Sequence, residues 1–336
     1  DFCLSRGLGD VYKRQIYNNT QETLVVGKEY AITTYNIGFG AYNHDFSFFM
    51  DQGKMLSGEK VKGKLSKATS KEIVLTNTRG AIEEITAFNP DFAFFQEVDT
   101  NSTRSFQVNQ FKMLQESLAK MASVHVSNFH SAYLFYPILD PHGVVNSGIA
   151  TFSKYKIDKV IRKSLEITDA FLSKFFDLDR CFSASYLKTN HDNYLVIVNV
   201  HLSAYDKGGV YRKKQLQQLN SFLEVEYQKG NYVVCGGDFN HDIANSMYVF
   251  ETKQEKPEWV YGLNNDDLNE NFSFATNNNI PTCRSTDMPY EKNVNYTVVL
   301  DGFIVSKNVD VIMVENVDTN FEYSDHNPVY MKFVLK

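Results

Sequence analysis

The chain is short of cysteine and proline, has no long apolar run and no basic excess, and each shortage removes a class of protein. The four cysteines of the 336 residues, Cys3, Cys181, Cys235 and Cys283, show neither CxxC nor Cys/His zinc spacing, which argues against a disulfide scaffold or a zinc module. Such low cysteine use fits a reducing compartment and many exported bacterial proteins equally well. Cys235 lies in the apolar run Tyr232-Val233-Val234-Cys235 and reads as a small buried hydrophobe. No stretch of about 18 apolar residues is present, so the sequence contains no candidate membrane-spanning helix. Lys and Arg number 34 against 40 Asp and Glu, a net charge of −6, so general neutralisation of a nucleic-acid backbone is not the strategy. A bound divalent cation can still supply positive charge locally, so a phosphodiester substrate is not excluded. Only 7 prolines stand beside 26 Phe and 20 Tyr, which suits a sheet-rich fold. The 43% apolar and 22% charged fractions suffice for a large core and exclude a disordered, collagenous or coiled-coil chain.

Residues 1–15 (DFCLSRGLGDVYKRQ) have neither strand nor helix periodicity, begin without Met, and resemble translated linker sequence. They are set apart, with 16–28 as an N-terminal extension and 29–336 as one catalytic domain. A native start that is missing would leave room for export or membrane anchoring, with a cytoplasmic location as the alternative. From residue 28 onward, strand and helix patterns alternate. Strands are expected at 28–38, 91–98, 147–153, 181–187, 194–200, 231–236, 298–306 and 329–335. The run at 194–200 is nearly continuously apolar, as when both faces of a sheet are covered. Helices are expected at 78–88, closed by Asn89-Pro90, at 103–121, and at 210–227, where Leu216, Leu219 and Leu223 share a face. Residues 40–78 read as an elaborated loop. No linker and no internal repeat interrupts the alternation.

Asn36, Glu97, His201, Asp238, Asn240, Asp301, Asp325 and His326 all fall at or just beyond the ends of apolar strands. Strand ends are where layered α/β folds build their sites. Carboxylates gathered in one cleft resist joint ionisation, and a divalent cation removes that conflict. An oxygen-rich set with Asn suits Mg²⁺, or Mn²⁺ or Ca²⁺, better than Zn²⁺.

The segments that carry these residues, Thr34-Tyr35-Asn36-Ile37, Gln96-Glu97-Val98, Ser147-Gly148-Ile149-Ala150, Asn199-Val200-His201-Leu202, Gly237-Asp238-Phe239-Asn240, Leu300-Asp301-Gly302-Phe303 and Ser324-Asp325-His326, resemble in order the motifs of the endonuclease/exonuclease/phosphatase superfamily. Each alone is weak, and seven in order are specific. The likeness is greatest to the deoxyribonuclease and sphingomyelinase branch, as a bacterial member. It implies an α/β fold, a four-layer sandwich of two mixed β-sheets packed face to face with flanking helices. It also implies divalent-metal-dependent hydrolysis of a phosphoester by in-line attack of an activated water. In that scheme Glu97 is the main metal ligand, with Asn36 and Asp325 beside it. Asp238 and Asn240 orient or activate the water and contact phosphoryl oxygens. Asp301 holds the tautomer of His326, which acts as acid or base or stabilises the pentacoordinate phosphate, and His201 supplies a second imidazole.

Blander readings stand beside these. Asp238 and Asn240 can form an Asx turn, and Asp301 can cap a turn before Gly302. Arg180 is either a phosphate contact or one half of an ion pair with Asp177 or Asp179. His142 and Asn146 either line the cleft or sit in an ordinary turn. The Lys-rich stretch 54–71 contacts an anionic surface or is a solvated loop, and Phe46, Phe48 and Phe49 form a lid, a membrane-touching patch or packing beneath the loop. The substrate is a nucleic acid, a phospholipid head group or a small phosphodiester, with no protein partner and a monomeric chain. The alternatives are a sphingomyelinase-like or inositol phosphatase-like phosphohydrolase and, in another class, a non-catalytic scaffold relative.

Overall fold

Alternation of side chains along the central strands sets the layering. In the computed structural model, which describes residues 15–135, 137–138, 140–167, 179–204 and 210–336, β1 runs Glu29–Asn36 and β4 Phe92–Asp99. Tyr30, Ile32, Phe92 and Phe94 point to one face, and Tyr35, Ala93 and Phe95 to the other. The same division holds in β9 (Tyr194–His201) and β10 (Tyr232–Asp238). Leu195, Ile197, Tyr232 and Val234 join the core shared with β1 and β4, whereas Val196, Val198, Val233 and Cys235 face away. A period of two with both faces apolar forces each sheet to be covered on both sides.

Two six-stranded mixed sheets result. The first has the order β15 (Val309–Asn316), β16 (Val329–Leu335), β1, β4, β6 (Gly143–Ser153), β5 (Ala122–Leu134). The second runs β11 (Phe272–Ala275), β14 (Asp301–Ser306), β10, β9, β8 (Cys181–Lys188), β7 (Lys159–Ser164). Two short hairpins complete the strands, β2 (Gln52–Lys54) with β3 (Lys60–Lys62) and β12 (Cys283–Arg284) with β13 (Thr297–Val298). Helices α1 (Lys71–Ala87) and α2 (Gln110–Ser117) cover the first sheet through Ile82, Ile85, Phe111 and Leu114. The long α3 (Val210–Gln228) covers the second through Leu216, Leu219 and Leu223. Helix, sheet, sheet and helix make the four layers.

Each sheet has a parallel pair at its middle, β1 with β4 and β9 with β10, so four strands finish at the same end of the sandwich. The antiparallel neighbours β14 and β16 begin there. The neighbours β6 and β8 begin there too, so one end of the molecule collects the exits of the four central strands and the entries of their four antiparallel neighbours.

Several segments differ from the sequence expectation. Helix α1 starts at Lys71 because Ser70 caps it, its side chain accepting from the Ile73 N–H, so the expected loop is shorter and contains the β2–β3 hairpin. The helix expected over 103–121 is divided, since Phe106 and Gln107 take left-handed φ of 52° and 56° between a 3-10 turn and α2. Strands β5, β7, β11 and β15 were not anticipated. All four lie at the edges of the two sheets, where the polar, one-sided pattern is weakest. Phe46, Phe48 and Phe49 are buried with Phe39, Tyr42 and Val74, so they pack the loop and form neither lid nor surface patch. No helix among the described residues is long and apolar enough to cross a membrane. Cys181, Cys235 and Cys283 are buried, and no disulfide joins them.

Candidate active site

The residues singled out at strand ends converge on the shared end of the two sheets. Asn36 closes β1, Asp238 closes β10 and His201 closes β9, while Asp301 opens β14 directly opposite Asp238. Glu97 reaches the same point through a distortion of β4. The ladder to β6 shifts between Phe95 and Val98, and Glu97 takes a φ of 54°. A bulge of this kind re-aims a side chain that regular pleating would send elsewhere. Across β10, Gly237 has a φ of +146°, and a Cβ there would lie 1.9 Å from the Val200 carbonyl. Only glycine lets β9 and β10 come together at that height. Below the cleft Gln96 Nε2 donates to Asn199 Oδ1 at 2.8 Å, joining the two sheets by a buried amide pair.

Asn36 is the centre of the polar set. Its Nδ2 donates to Asp238 Oδ2 at 3.0 Å and lies 3.4 Å from Glu97 Oε1 and 3.5 Å from His326 Nε2, while its Oδ1 accepts from the Gly38 N–H. Carboxylates from opposite sheets thus meet at one amide. Asp238 is buried, and its other oxygen accepts from the Asn240 N–H at 2.8 Å, so the Asx turn does form and leaves Oδ2 toward the cleft. Asn240 is held at a φ of 50° and donates through Nδ2 to the Leu202 carbonyl. His326 Nδ1 lies 2.8 Å from Asp301 Oδ2, and its Nε2 lies 3.7 Å from Asp238 Oδ2. His201 Nε2 is 3.5 Å from that same oxygen, while its buried Nδ1 has no hydrogen-bond partner.

Burial and charge pull these groups apart. Burial, partly opposed by His326 and reinforced by Asp301, raises Asp238 to about 6. Asp325 is raised to about 7 by burial and by the Glu97 carboxylate, against the pull of His326 and Arg284. The two imidazoles diverge. Burial alone would depress His326, yet the carboxylates of Asp301 and Asp238 hold it well above the ordinary histidine value. His201 is driven well below that value by burial, with Arg180 and His326 adding to the effect. One charged and one neutral imidazole beside a carboxylate is a familiar division of acid and base roles.

Ligand atoms of Asp238, Asp301 and His326 lie within 4.8 Å of one another, close enough to hold an ion. The His326–Asp301 hydrogen bond already engages that imidazole, whereas Glu97 and Asp325 line the same cleft with carboxylates, and Asn36 turns its Nδ2 toward Glu97 while its Oδ1 is taken by the Gly38 N–H.

Of the more distant candidates, Arg180 is buried and lines the cleft. Asp177, one of its two suggested partners, lies outside the described residues. His142 also lines the cleft, with its ring engaged by the Ser66 carbonyl and the Arg104 guanidinium and its pKa pushed down to about 3 by burial and Arg104. Asn146 does not reach the cleft. Its side chain donates to the Asn101 carbonyl at 2.7 Å, and the neighbouring Ser147 takes the lining position.

Three lining residues were missed. Arg104 grips Asp99 with two bonds of 2.9 and 3.0 Å and stacks 3.9 Å above the Phe39 ring. Arg284 is buried, donates to the carbonyls of Tyr42, Asn43 and Ser285, and keeps an unpartnered Nε. The chain's single tryptophan, Trp259, stands at the wall. The lone Trp was a usable signal. Nothing in the local sequence separated the two arginines from solvated ones.

The family model described as Endonuclease/Exonuclease/phosphatase family matches residues 33–326, from within β1 to His326. The chain belongs to the Endonuclease/Exonuclease/phosphatase family. Members of this family hydrolyse phosphoester bonds. Among curated proteins, an inositol phosphosphingolipids phospholipase C of Schizosaccharomyces pombe is 24% identical over 244 residues, covering 64% of this chain. The match spans 58% of that protein's length. An endonuclease/exonuclease/phosphatase structure from Beutenbergia cavernae superposes with a TM-score of 0.56 at 14% identity, over 92% of this chain and 72% of that one. The human Nocturnin catalytic domain, with a bound sulfate anion, superposes with a TM-score of 0.55 at 16% identity, over 98% of this chain and 100% of that one. At such identities the likeness to Endonuclease/Exonuclease/phosphatase structures is one of fold, and it includes the two mixed sheets described above.

Proposed function

We propose that this chain is a divalent-metal-dependent phosphodiesterase that cleaves its substrate by in-line attack of water. The observation that carries the reading is the convergence on Asn36, whose amide nitrogen touches Asp238 from the second sheet and lies beside Glu97 of the first.

The donor set fits a hard cation. Glu97 and Asp325 offer carboxylate oxygens to the cleft, a half-turn of the adjoining Asn36 amide would add its Oδ1, and the raised Asp238 and Asp325 carboxylates mark a cluster short of positive charge. Glu97, Asn36 and Asp325 would hold Mg²⁺, with Mn²⁺ or Ca²⁺ as alternatives. When bound, the ion supplies Lewis-acid polarisation of a non-bridging phosphoryl oxygen. The remaining chemistry falls to side chains. Asp238 Oδ2, turned to the cleft because the Asn240 N–H occupies Oδ1, accepts the proton of the attacking water. Asn240 orients that water and the phosphoryl group. His326, fixed through Nδ1 by Asp301, presents Nε2–H as a cationic donor to the phosphoryl oxygens or the leaving alkoxide. His201, kept neutral, adds a hydrogen bond without adding charge. Arg180 would contact the anion, and Asn146 and His142 drop out of that set because the Asn101 carbonyl takes the first and the Ser66 carbonyl and Arg104 take both ring nitrogens of the second.

A lipid head group is the second reading, supported by the phospholipase C relative. The scaffold alternative has less support, since buried carboxylates and imidazoles are costly to retain without use. The test is cleavage of bis(p-nitrophenyl) phosphate with Mg²⁺ or Mn²⁺, followed by plasmid DNA, RNA and sphingomyelin vesicles in parallel. Wild type is expected to turn over the soluble diester only with metal, and Glu97→Ala and His326→Ala are expected to abolish it. Retained activity in either variant would remove the reading, and cleavage of vesicles alone would remove the nuclease form of it.

A further inference from the structure

The β5–β6 hairpin projects apolar side chains into solvent. At its tip Tyr133 is 44% exposed, Phe135 75% and Ile138 84%. The Tyr133 and Phe135 rings lie 5.0 Å apart and form one patch. Such large exposed apolar groups mark an interaction surface. The tip is tied to the Lys-rich segment, because Ser66 Oγ donates to the carbonyl and the carboxylate of Asp140, and Lys67 pairs with that carboxylate.

In that segment the β2–β3 register places Lys54 opposite Lys60 and Gln52 opposite Lys62, so these four share one face of the hairpin. The other face is against the body, since a Cβ on Gly53 would collide with Asp287. Lys60, Lys62 and Lys64 are exposed and enter no ion pair among the described residues. Leu56, between the two strands, is 66% exposed. Both hairpins border the catalytic cleft, one through His142 and the other through Phe48 and Asp51.

We propose that these two hairpins form a docking surface for an anionic lipid bilayer, with Phe135 and Ile138 entering the hydrocarbon boundary and Lys60, Lys62 and Lys64 meeting the head groups. The proposal rests on the phosphodiesterase reading and narrows its substrate to phosphodiesters presented at a membrane. Lysines and aromatic rings also suit single-stranded nucleic acid. The exposed aliphatic groups Ile138 and Leu56 decide against that partner, because they cannot stack on bases and gain only from hydrocarbon. A patch joining apolar tips to a basic face is the pattern of a peripheral membrane protein.

The test is flotation of the full chain, carrying His326→Ala so that nothing is hydrolysed, with vesicles of phosphatidylcholine alone or with about 30% phosphatidylserine. Binding is expected on the anionic vesicles and falling with salt. Phe135→Ser with Ile138→Ser should weaken it at least about tenfold, and Lys60→Glu with Lys62→Glu should do so on the anionic vesicles. Both double variants, made in the otherwise native chain, should turn over the soluble diester at the wild-type rate. Absence of vesicle binding overturns the proposal, as does a single-stranded oligonucleotide bound through the same residues in place of vesicles. Vesicle binding by a chain that cleaves no soluble diester would support the surface while defeating the phosphodiesterase reading, so the two failures are distinct.

Discussion

Replacing Asp301 by Asn tests the acid–base machinery with a change of little volume. Asp301 Oδ2 lies 2.8 Å from His326 Nδ1, and the carboxylate works against the burial that would otherwise depress that imidazole. An amide keeps the approximate shape but removes the charge and can present its NH₂ in place of an acceptor. His326 would then be neutral over most of the working range, and its Nε2–H would no longer be a cationic donor. Loss of a positioned acid or base costs about 10²–10⁴-fold in rate, equivalent to roughly 3–5 kcal/mol at the transition state. The assay is metal-dependent turnover of bis(p-nitrophenyl) phosphate across pH, with circular dichroism to confirm the fold. Two results are expected together, a fall of that size in kcat and an alkaline limb moved to lower pH. A kcat within about threefold of wild type, with the limb unmoved, would refute the assigned role.

Metal-induced thermal stabilisation should depend on pH. Asp238 and Asp325 have folded pKa values of about 6 and about 7, raised above the usual carboxylate range. The stability linked to their protonated forms is therefore present below about pH 4 and lost as pH rises through those values, by roughly 3 kcal/mol for Asp238 and roughly 4 kcal/mol for Asp325. A cation offsets the repulsion of the ionised forms, so Mg²⁺ should raise Tm more at about pH 8 than at about pH 5, and equal increments would contradict the site. Glu97→Gln should weaken Mn²⁺ binding by at least about tenfold in calorimetry while leaving the far-ultraviolet spectrum intact, and unchanged affinity would remove Glu97 from the ligands. Gly237→Ala should cost more than about 3 kcal/mol in urea unfolding, because its Cβ would lie 1.9 Å from the Val200 carbonyl; a near-wild-type midpoint would show that β9 and β10 can separate there.

The central strands were legible because both of their faces are buried, and continuous apolar runs ending in polar residues survive in sequence. Asn36, Glu97, His201, Asp238, Asp301, Asp325 and His326 were found by that rule, and the structure gathers them at one end of the sandwich. Edge strands such as β15 were hidden because four of its eight residues in a row are solvent-exposed and the face pattern dissolves. The bulge at Glu97 was equally hidden, since a register shift arises from pairing with β6 and leaves no local trace. Arg284 depends on distant backbone carbonyls such as that of Tyr42, and Arg104, though paired with Asp99 five residues before it, is set against the cleft by Phe39 and His142, which no spacing rule reaches. Asn146 carries the right chemistry one residue away from the lining position that Ser147 occupies.

A crystal structure grown in Mn²⁺ tests the convergence of these side chains most directly. An anomalous peak is expected about 2.0–2.6 Å from a Glu97 carboxylate oxygen, with Asn36 and Asp325 in its coordination sphere. A Mn²⁺ peak absent from this cleft at millimolar metal, or bound only between Asp301 and His326 with their hydrogen bond broken, would contradict it.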